Sequence, residues 1–283
     1  MVLVFLFLYA PILLLIVFSF NAGNSNAVWK GFSLEWYGKL FHDRLIMQSV
    51  YTTLLVSLLA TVIATVAGTF AAIGFFSMRR RWREPLMTVN NIPMMNADIV
   101  TGVSMCLLFV AFFNGWGSFA AWFNGLGLFQ LPTRLSMGFG TLLLAHITFD
   151  IPYVILSVMP CLRQLDKNLS EAAQDLGATP MQAFTKVVLP QLRPGIVNGA
   201  IIAFTMSVDD FVISYFTAGA YVSNLSMEIY AMARRHISPE INAISTILFT
   251  IVLVLLIIVN VRSMRQQKAE EKRLRALKRD AAL

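Results

Sequence analysis

Four carboxylates stand inside long apolar stretches of this chain: Asp98, Asp150, Asp209 and Asp210. None of those stretches supplies a lysine or arginine to pair with them. An acid at the centre of a membrane helix costs about 2.5–3.5 kcal/mol on insertion scales, so four of them must face protein interior or an aqueous path. On a continuous helix Ser207, Asp210, Ser214 and Thr217 share one stripe, while Asp209 turns away toward Thr205 and Val212. Asp210 is therefore the better candidate for a path, and Asp209 for a hydrogen bond to a neighbouring helix or subunit. Counting ~1.5 Å per residue from Ile196 puts the pair roughly 20 Å in. Three chemistries stay open: a structural role, protonated or paired with another subunit's cation; a proton relay; and an anionic path for a cationic solute. His146 lies one turn from Asp150. A relay or metal site can be drawn there, but an interhelical hydrogen bond is the simpler expectation. Phe149, Tyr153, Phe211, Tyr215 and Phe216 could present cation–π faces, with packing as the default. Cys106 and Cys161 have no metal-ligand or redox spacing and are expected to be packing residues. No catalytic or metal-binding set is expected.

A second constellation lies between residues 163 and 193. Asn168-Leu-Ser-Glu171 has the form of a capping box. Leu169, Ala172, Ala173 and Leu176 then share a helical face, and Gly177 is placed to end that helix in the left-handed conformation. Thr179-Pro-Met-Gln182 starts a second helix, with a cap and proline at the first helical position. Phe184, Val187 and Val188 form its apolar stripe, and Pro190 is expected to end it. Two short helices with apolar faces pack on the protein's own helix ends or dock a partner.

The elements that must position these groups follow from the charge pattern. Of 283 residues, 57% are hydrophobic and 13% charged, against about 25% charged in an ordinary soluble domain. Six stretches are long enough to cross a bilayer as helices of about 20 residues: 2–20, 50–76, 90–113, 139–161, 196–218 and 242–261. A barrel would show short alternating segments instead, and a soluble core would need polar outer faces that the sixth stretch lacks. The first stretch has no basic segment before it and no small-x-small site after it, so it reads as a retained helix rather than a signal peptide. Its abrupt start is expected if a short segment precedes Met1. Sixteen of the 22 basic residues fall between stretches two and three, between four and five, or after six. The positive-inside rule then puts both termini in the cytoplasm. The basic tail 262–283 reads as a solvated helical extension attracted to anionic lipid, not a nucleic-acid-binding arm. The segment 114–138, with Trp116 and Trp122, reads as an interfacial loop. No internal repeat suggests a secondary transporter folded from one chain.

Glu171-Ala172-Ala173, Gly177 and Val187-Val188-Leu189-Pro190 together resemble the EAA loop of binding-protein-dependent ABC importer permeases, EAA-x3-G-x9-I-x-LP, with Val187 for isoleucine. The resemblance implies an all-α, six-helix type-I importer permease in the bacterial inner membrane. It implies that residues 1–261 form one permease domain whose coupling loop, through Glu171, Ala172, Ala173, Gly177, Leu189 and Pro190, meets an ATPase subunit. It further implies a second permease and an extracytoplasmic solute-binding protein. The chain has no GxxxxGK[ST] loop, so ATP would be bound by a separate polypeptide, with no cofactor here. Leu8-Tyr-Ala-Pro11, Ser19-Phe-Asn21, Ala97-Asp-Ile-Val100, Ala145-His-Ile-Thr-Phe149, Ser207-Val-Asp-Asp-Phe-Val212 and Ser238-Pro-Glu-Ile-Asn-Ala243 are similar to stretches of spermidine/putrescine permeases. That resemblance agrees with the cation-path reading and points to Asp210, Asp209, Asp150, Asp98, Ser207 and Ser214 as path residues. Another solute, such as an amino-acid derivative or iron, and a stand-alone proton-coupled carrier are the alternatives.

Overall fold

The computed structural model describes residues 2–23, 28–125, 132–166, 168–235, 240–254, 257 and 261. All regular elements among them are helical, apart from an isolated bridge between Asn21 and Phe32. Four helices are long and apolar enough to cross a membrane: Arg44–Ser77, Asp98–Asn124, Phe139–Gln164 and Pro180–Asp209. Two shorter apolar helices, Leu6–Phe18 and Glu240–Val254, accompany them. The basic tail after residue 261 lies outside the described residues.

The chain divides into two units. The first joins Met1–His42 to the segment from Met232 onward. In it, α1 (Val2–Phe18) leads into a turn organised by Asn21. The Asn21 side chain donates to Val28 O at 2.8 Å and accepts from Lys30 N at 2.8 Å. Its carbonyl accepts from Trp36 Nε1 on α2 (Glu35–His42), and Ser19 shares a 2.7 Å hydrogen bond with Tyr37.

The second unit, Asp43–Ala231, carries the constellations of interest. Helix α3 (Arg44–Ser77) starts on Asp43, whose carboxylate caps Leu45 N and Ile46 N. It lies against α6 (Phe139–Gln164), and α9 (Leu189–Asp209) covers both. Small residues set these contacts. A Cβ on Gly68 would come within 2.8 Å of Val154, and one on Gly195 within 2.8 Å of both Cys161 Sγ and Ser157 O. Gly199 faces Val154 in the same way. On α9 the small side recurs every four residues, Gly195, Gly199, Ala203 and Ser207, and all four are buried. Lipid gives helices no hydrophobic reason to associate, so close backbone approach across such a stripe supplies the packing energy. The pairs fix direction: α3 runs parallel to α6, from Val56 beside Leu142 to Gly68 beside Val154, and α9 runs antiparallel.

Two expected spans are interrupted. The stretch 90–113 belongs to two helices, α4 (Arg80–Met95) and α5 (Asp98–Asn124). Asn96 and Ala97 are extended, so Asp98 sits in the first turn of α5, where a carboxylate complements the helix dipole, and not in mid-helix. Helix α5 then continues through much of the expected loop 114–138, with Trp116 and Trp122 on the helix; residues 126–131 lie outside the described residues. The stretch 196–218 breaks as well: α9 ends at Asp209, Asp210 is extended, and α10 (Val212–Thr217) follows.

The close approach of α9 is testable. Gly195→Leu should lower the unfolding temperature of the purified protein, with overpacking costing about 1–3 kcal/mol. Gly74→Ala, where an added Cβ meets nothing within 4 Å, should leave it unchanged or slightly raised. Equal effects of the two substitutions would contradict the packing described.

Candidate functional site

The break after α9 gathers polar groups from α6, α9, α10 and the cap of the next helix. Asp210 is extended (φ −66°, ψ 123°), a geometry suited to capping the helix that follows. Its carboxylate accepts from Ile213 N at 3.2 Å, Ser214 N at 2.8 Å and Ser214 Oγ at 2.8 Å. From α6, His146 reaches Ser207 Oγ with Nδ1 at 2.7 Å and Ser214 Oγ with Nε2 at 3.0 Å. Its Nε2 stands 3.6 Å from Asp210 Oδ2. Asn224, just before α11 (Leu225–Arg235), donates to Ser214 Oγ at 2.7 Å and to the Asp210 carbonyl at 3.1 Å. Its own Oδ1 caps α11 at Met227 N.

Proton counting assigns the roles. Ser214 has one hydroxyl proton, and it goes to the Asp210 carboxylate. Ser214 Oγ is then an acceptor for both Asn224 and His146, so a neutral His146 carries its proton on Nε2 and accepts from Ser207 through Nδ1. His146 is thus the interhelical link expected of it. Ser207, Asp210 and Ser214 do converge, but around a break and not along the unbroken stripe that helical spacing suggests.

The other acidic candidates make no hydrogen bond to this node, although Asp150 lies within electrostatic reach of Asp210. Asp150 is fully buried, and neither carboxylate oxygen has a hydrogen-bond partner. The register of α6 on its neighbours puts it level with Ala64 and Ala203, both fully buried. Asp209 is exposed on the last turn of α9, and Asp98 is exposed at the start of α5. Asn224 was not among the sequence candidates. Its signal was an asparagine directly before a helix start, the ordinary N-cap pattern. Among the described residues there is no cluster of three or more metal-ligating side chains.

The connection between α6 and α9 holds the other constellation. Helix α7 (Leu169–Asp175) ends through Gly177 at φ +88°. Gly177 N bonds Gln174 O at 2.9 Å and Ala178 N bonds Ala173 O at 3.1 Å, the paired closure of a Schellman motif. Thr179 and Gln182 form the expected reciprocal capping box at the start of α8 (Pro180–Ala183). Two expectations fail. Asn168 makes no side-chain cap, because its backbone is already helical (φ −83°, ψ −10°); the carboxylate of Asp166 accepts from Asn168 N instead. Pro190 does not end the second helix. A π turn, Phe184–Val188, shifts the register so that Leu189 N bonds Phe184 O. That widening accommodates a proline ring that would clash in an unbroken α-helix, and the chain runs on into α9. Glu171 and Ala172 are exposed, and Leu176 and Met181 are 90% and 69% exposed.

Comparison with known proteins agrees with this arrangement. The family model for binding-protein-dependent transport system inner membrane components matches residues 64–275. The chain is 36% identical to the putrescine transport system permease protein PotI of Escherichia coli (strain K12), over 86% of this chain and 82% of that one. It is 33% identical to the spermidine/putrescine transport system permease protein PotC of Haemophilus influenzae, over 91% and 92%. Among solved structures, a bacterial ABC transporter involved in the import of the acidic polysaccharide alginate superposes with TM-score 0.64 at 17% identity, covering 93% of this chain and 92% of that one. The MetNI methionine ABC transporter in inward-facing conformation gives 0.57 at 20% identity, over 78% and 95%.

The node at the break makes a stability prediction. Asn224→Ala removes a helix cap and two donors to buried acceptors, so it should destabilise the purified protein by about 1–3 kcal/mol. Denaturation in mixed micelles would read this, and an unchanged midpoint would show that Asn224 does not hold the break together.

Proposed function

The chain belongs to the binding-protein-dependent transport system inner membrane components, and from that premise we propose that this permease subunit conducts polyamines in an ATP-driven importer. The observation that carries the substrate class is the 36% identity to a putrescine permease across 86% of the chain. Fold does not decide it, since a neighbour of the same architecture serves import of an acidic polysaccharide. The acidic residues fit the reading. Asp210 has its carboxylate beside a break in the backbone, with Asp209 exposed next to it, and among the described residues neither is paired with lysine or arginine. A carboxylate 9% exposed at such a break can greet an ammonium group without a counter-cation having to leave first. In this reading Asp210 and Asp209 line the path with Ser207 and Ser214, and Asp98 and Asp150 belong to the same anionic route.

The partners follow from chemistry that this chain lacks. It has no phosphate-binding loop for ATP, so any ATPase is a separate polypeptide, and membership of the importer family supports a pair of them. The exposed Leu176 and Met181 on the α7–α8 pair give them an apolar surface to dock on, with Glu171 at its edge. A second permease completes the pore, and an extracytoplasmic binding protein delivers the solute. The basic residues flanking the α7–α8 pair put it, and both termini, in the cytoplasm. Closure of the ATPases moves the docked helices and opens the path outward.

Two substitutions test this. Asp210→Asn keeps shape and most of the cap but removes the charge. Uptake of labelled putrescine and spermidine into vesicles should fall at least tenfold, about 1.4 kcal/mol of lost stabilisation, with the partner permease still recovered by pull-down. Normal uptake with intact assembly would leave Asp210 a structural role only. Gly177→Val forces a β-branched side chain into a left-handed backbone. It should abolish uptake and substrate-stimulated ATP hydrolysis while the protein still reaches the membrane. Full hydrolysis by that variant would sink the docking assignment.

A further inference from the structure

A cleft of about 180 Å³ opens at the end of the second unit where α3 and α6 begin. Its walls include Gln48, Ser49 and Thr52 of α3, Phe139 of α6, Tyr221 of the loop after α10, and Glu228 of α11. The α6–α9 connection lies at the far end of α6, some 26 residues and roughly 38 Å away. The cleft therefore faces the side opposite the α7–α8 pair.

Its chemistry is one-sided. Among the described residues Glu228 is the only charged one of the wall, and no lysine or arginine lines it. Among the described residues the Glu228 carboxylate has neither an ion pair nor a hydrogen-bond partner. Thr52 gives its hydroxyl proton to Gln48 O at 2.9 Å, so toward the cleft it presents lone pairs. The Gln48 amide oxygen and the Ser49 hydroxyl add acceptors. Tyr221, 92% exposed, and Phe139 bring aromatic surface to the same opening. At ~30 Å³ per water molecule the space equals about six waters, enough for an ammonium group and a few methylenes. An anion would meet the Glu228 carboxylate with no cationic side chain on the wall to offset it.

The cleft also connects to the node at Asp210. Glu228 is one helical turn beyond Asn224, its amide bonded to Asn224 O at 3.1 Å. Asn224 donates in turn to Ser214 and to the Asp210 carbonyl. The rim is held on the other side by Thr53, whose hydroxyl oxygen accepts from Leu225 N at 2.8 Å. An acid in the first turn of α11 is also favourable to the helix dipole, but that role needs neither the cavity nor the ring of acceptors around it.

We propose that this cleft is an entry site for a primary alkylammonium group, with Glu228 as its counter-ion and Tyr221 and Phe139 against its methylenes, one turn of α11 outside the Asp210 node. It rests on the polyamine-permease reading and adds to it a first binding position that the solute meets before the break in α9.

The test uses the assembled transporter in nanodiscs, without the solute-binding protein. Labelled putrescine should bind to the wild type in a salt-sensitive way. Glu228→Gln should weaken binding at least tenfold and raise the KM for uptake with little change in the maximal rate. Glu228→Asp should recover part of the loss. Unlabelled n-butylamine should compete, and butane-1,4-diol should not. Unchanged binding and KM in Glu228→Gln, or equal competition by the diol, would overturn the site even if uptake is normal, leaving the importer reading intact. Binding that depends on Glu228 without any polyamine uptake would establish the site and overturn the importer reading.

Discussion

Breaking a helix inside a bilayer frees backbone N–H and C=O groups where no water stands ready to take them. The end of the second unit where α9 gives way to α10 is organised by how this chain meets that constraint at Asp210 and Phe211. The carboxylate of Asp210 takes the amides that open α10, and Asn224 takes the carbonyl of Asp210. His146 and two serines then tie the break to α6. Each group serves two neighbours, so removing any one exposes another. A polar node of this kind fixes a unique geometry where apolar contacts would allow several. It also leaves a carboxylate near an opening, which is what a route for a cation needs. In the path proposed above, the side chain that holds the break is the same one that would supply the charge.

The node stays in place because α9 cannot slide on α6. Four small residues at intervals of four bring the two backbones together, and Val154, Ser157 and Cys161 fill the space that larger side chains would occupy. The same register brings Ser207 opposite His146. Asp150, one turn along, meets alanines and has no polar partner.

Much of this could be read from the residues. The length and purity of the apolar stretches located the helices, because lipid permits little else. Gly177 and the Thr179–Gln182 box marked their turn, since both depend on local backbone geometry that neighbouring residues determine. The breaks were not legible. Helical spacing placed Ser207, Asp210 and Ser214 on one stripe, and nothing local distinguishes a continuous helix from one that Asp210 caps anew. The same holds for Pro190: the rule that proline ends a helix assumes α-geometry, and a π turn evades it. The capping box read at Asn168 failed for the opposite reason, since Asp166 two residues earlier competed for the role. Asn224 was missed because its value comes from Asp210 and Ser214, 14 and 10 residues earlier, which the turn after α10 brings back to it.

One feature of the α6–α9 connection has a mechanical side. Because Pro190 is accommodated and does not stop the helix, Pro180–Asp209 forms a single rod of 30 residues, about 45 Å long. One end carries the exposed Met181 and the other ends at the acidic break. A rod of that length is an amplifier: a tilt of about 5° pivoting at one end moves the other by roughly 4 Å, more than the length of a hydrogen bond. The wide turn at Phe184–Val188 lies near the Met181 end of that rod, so bending there would let the near end move while the far end stayed still.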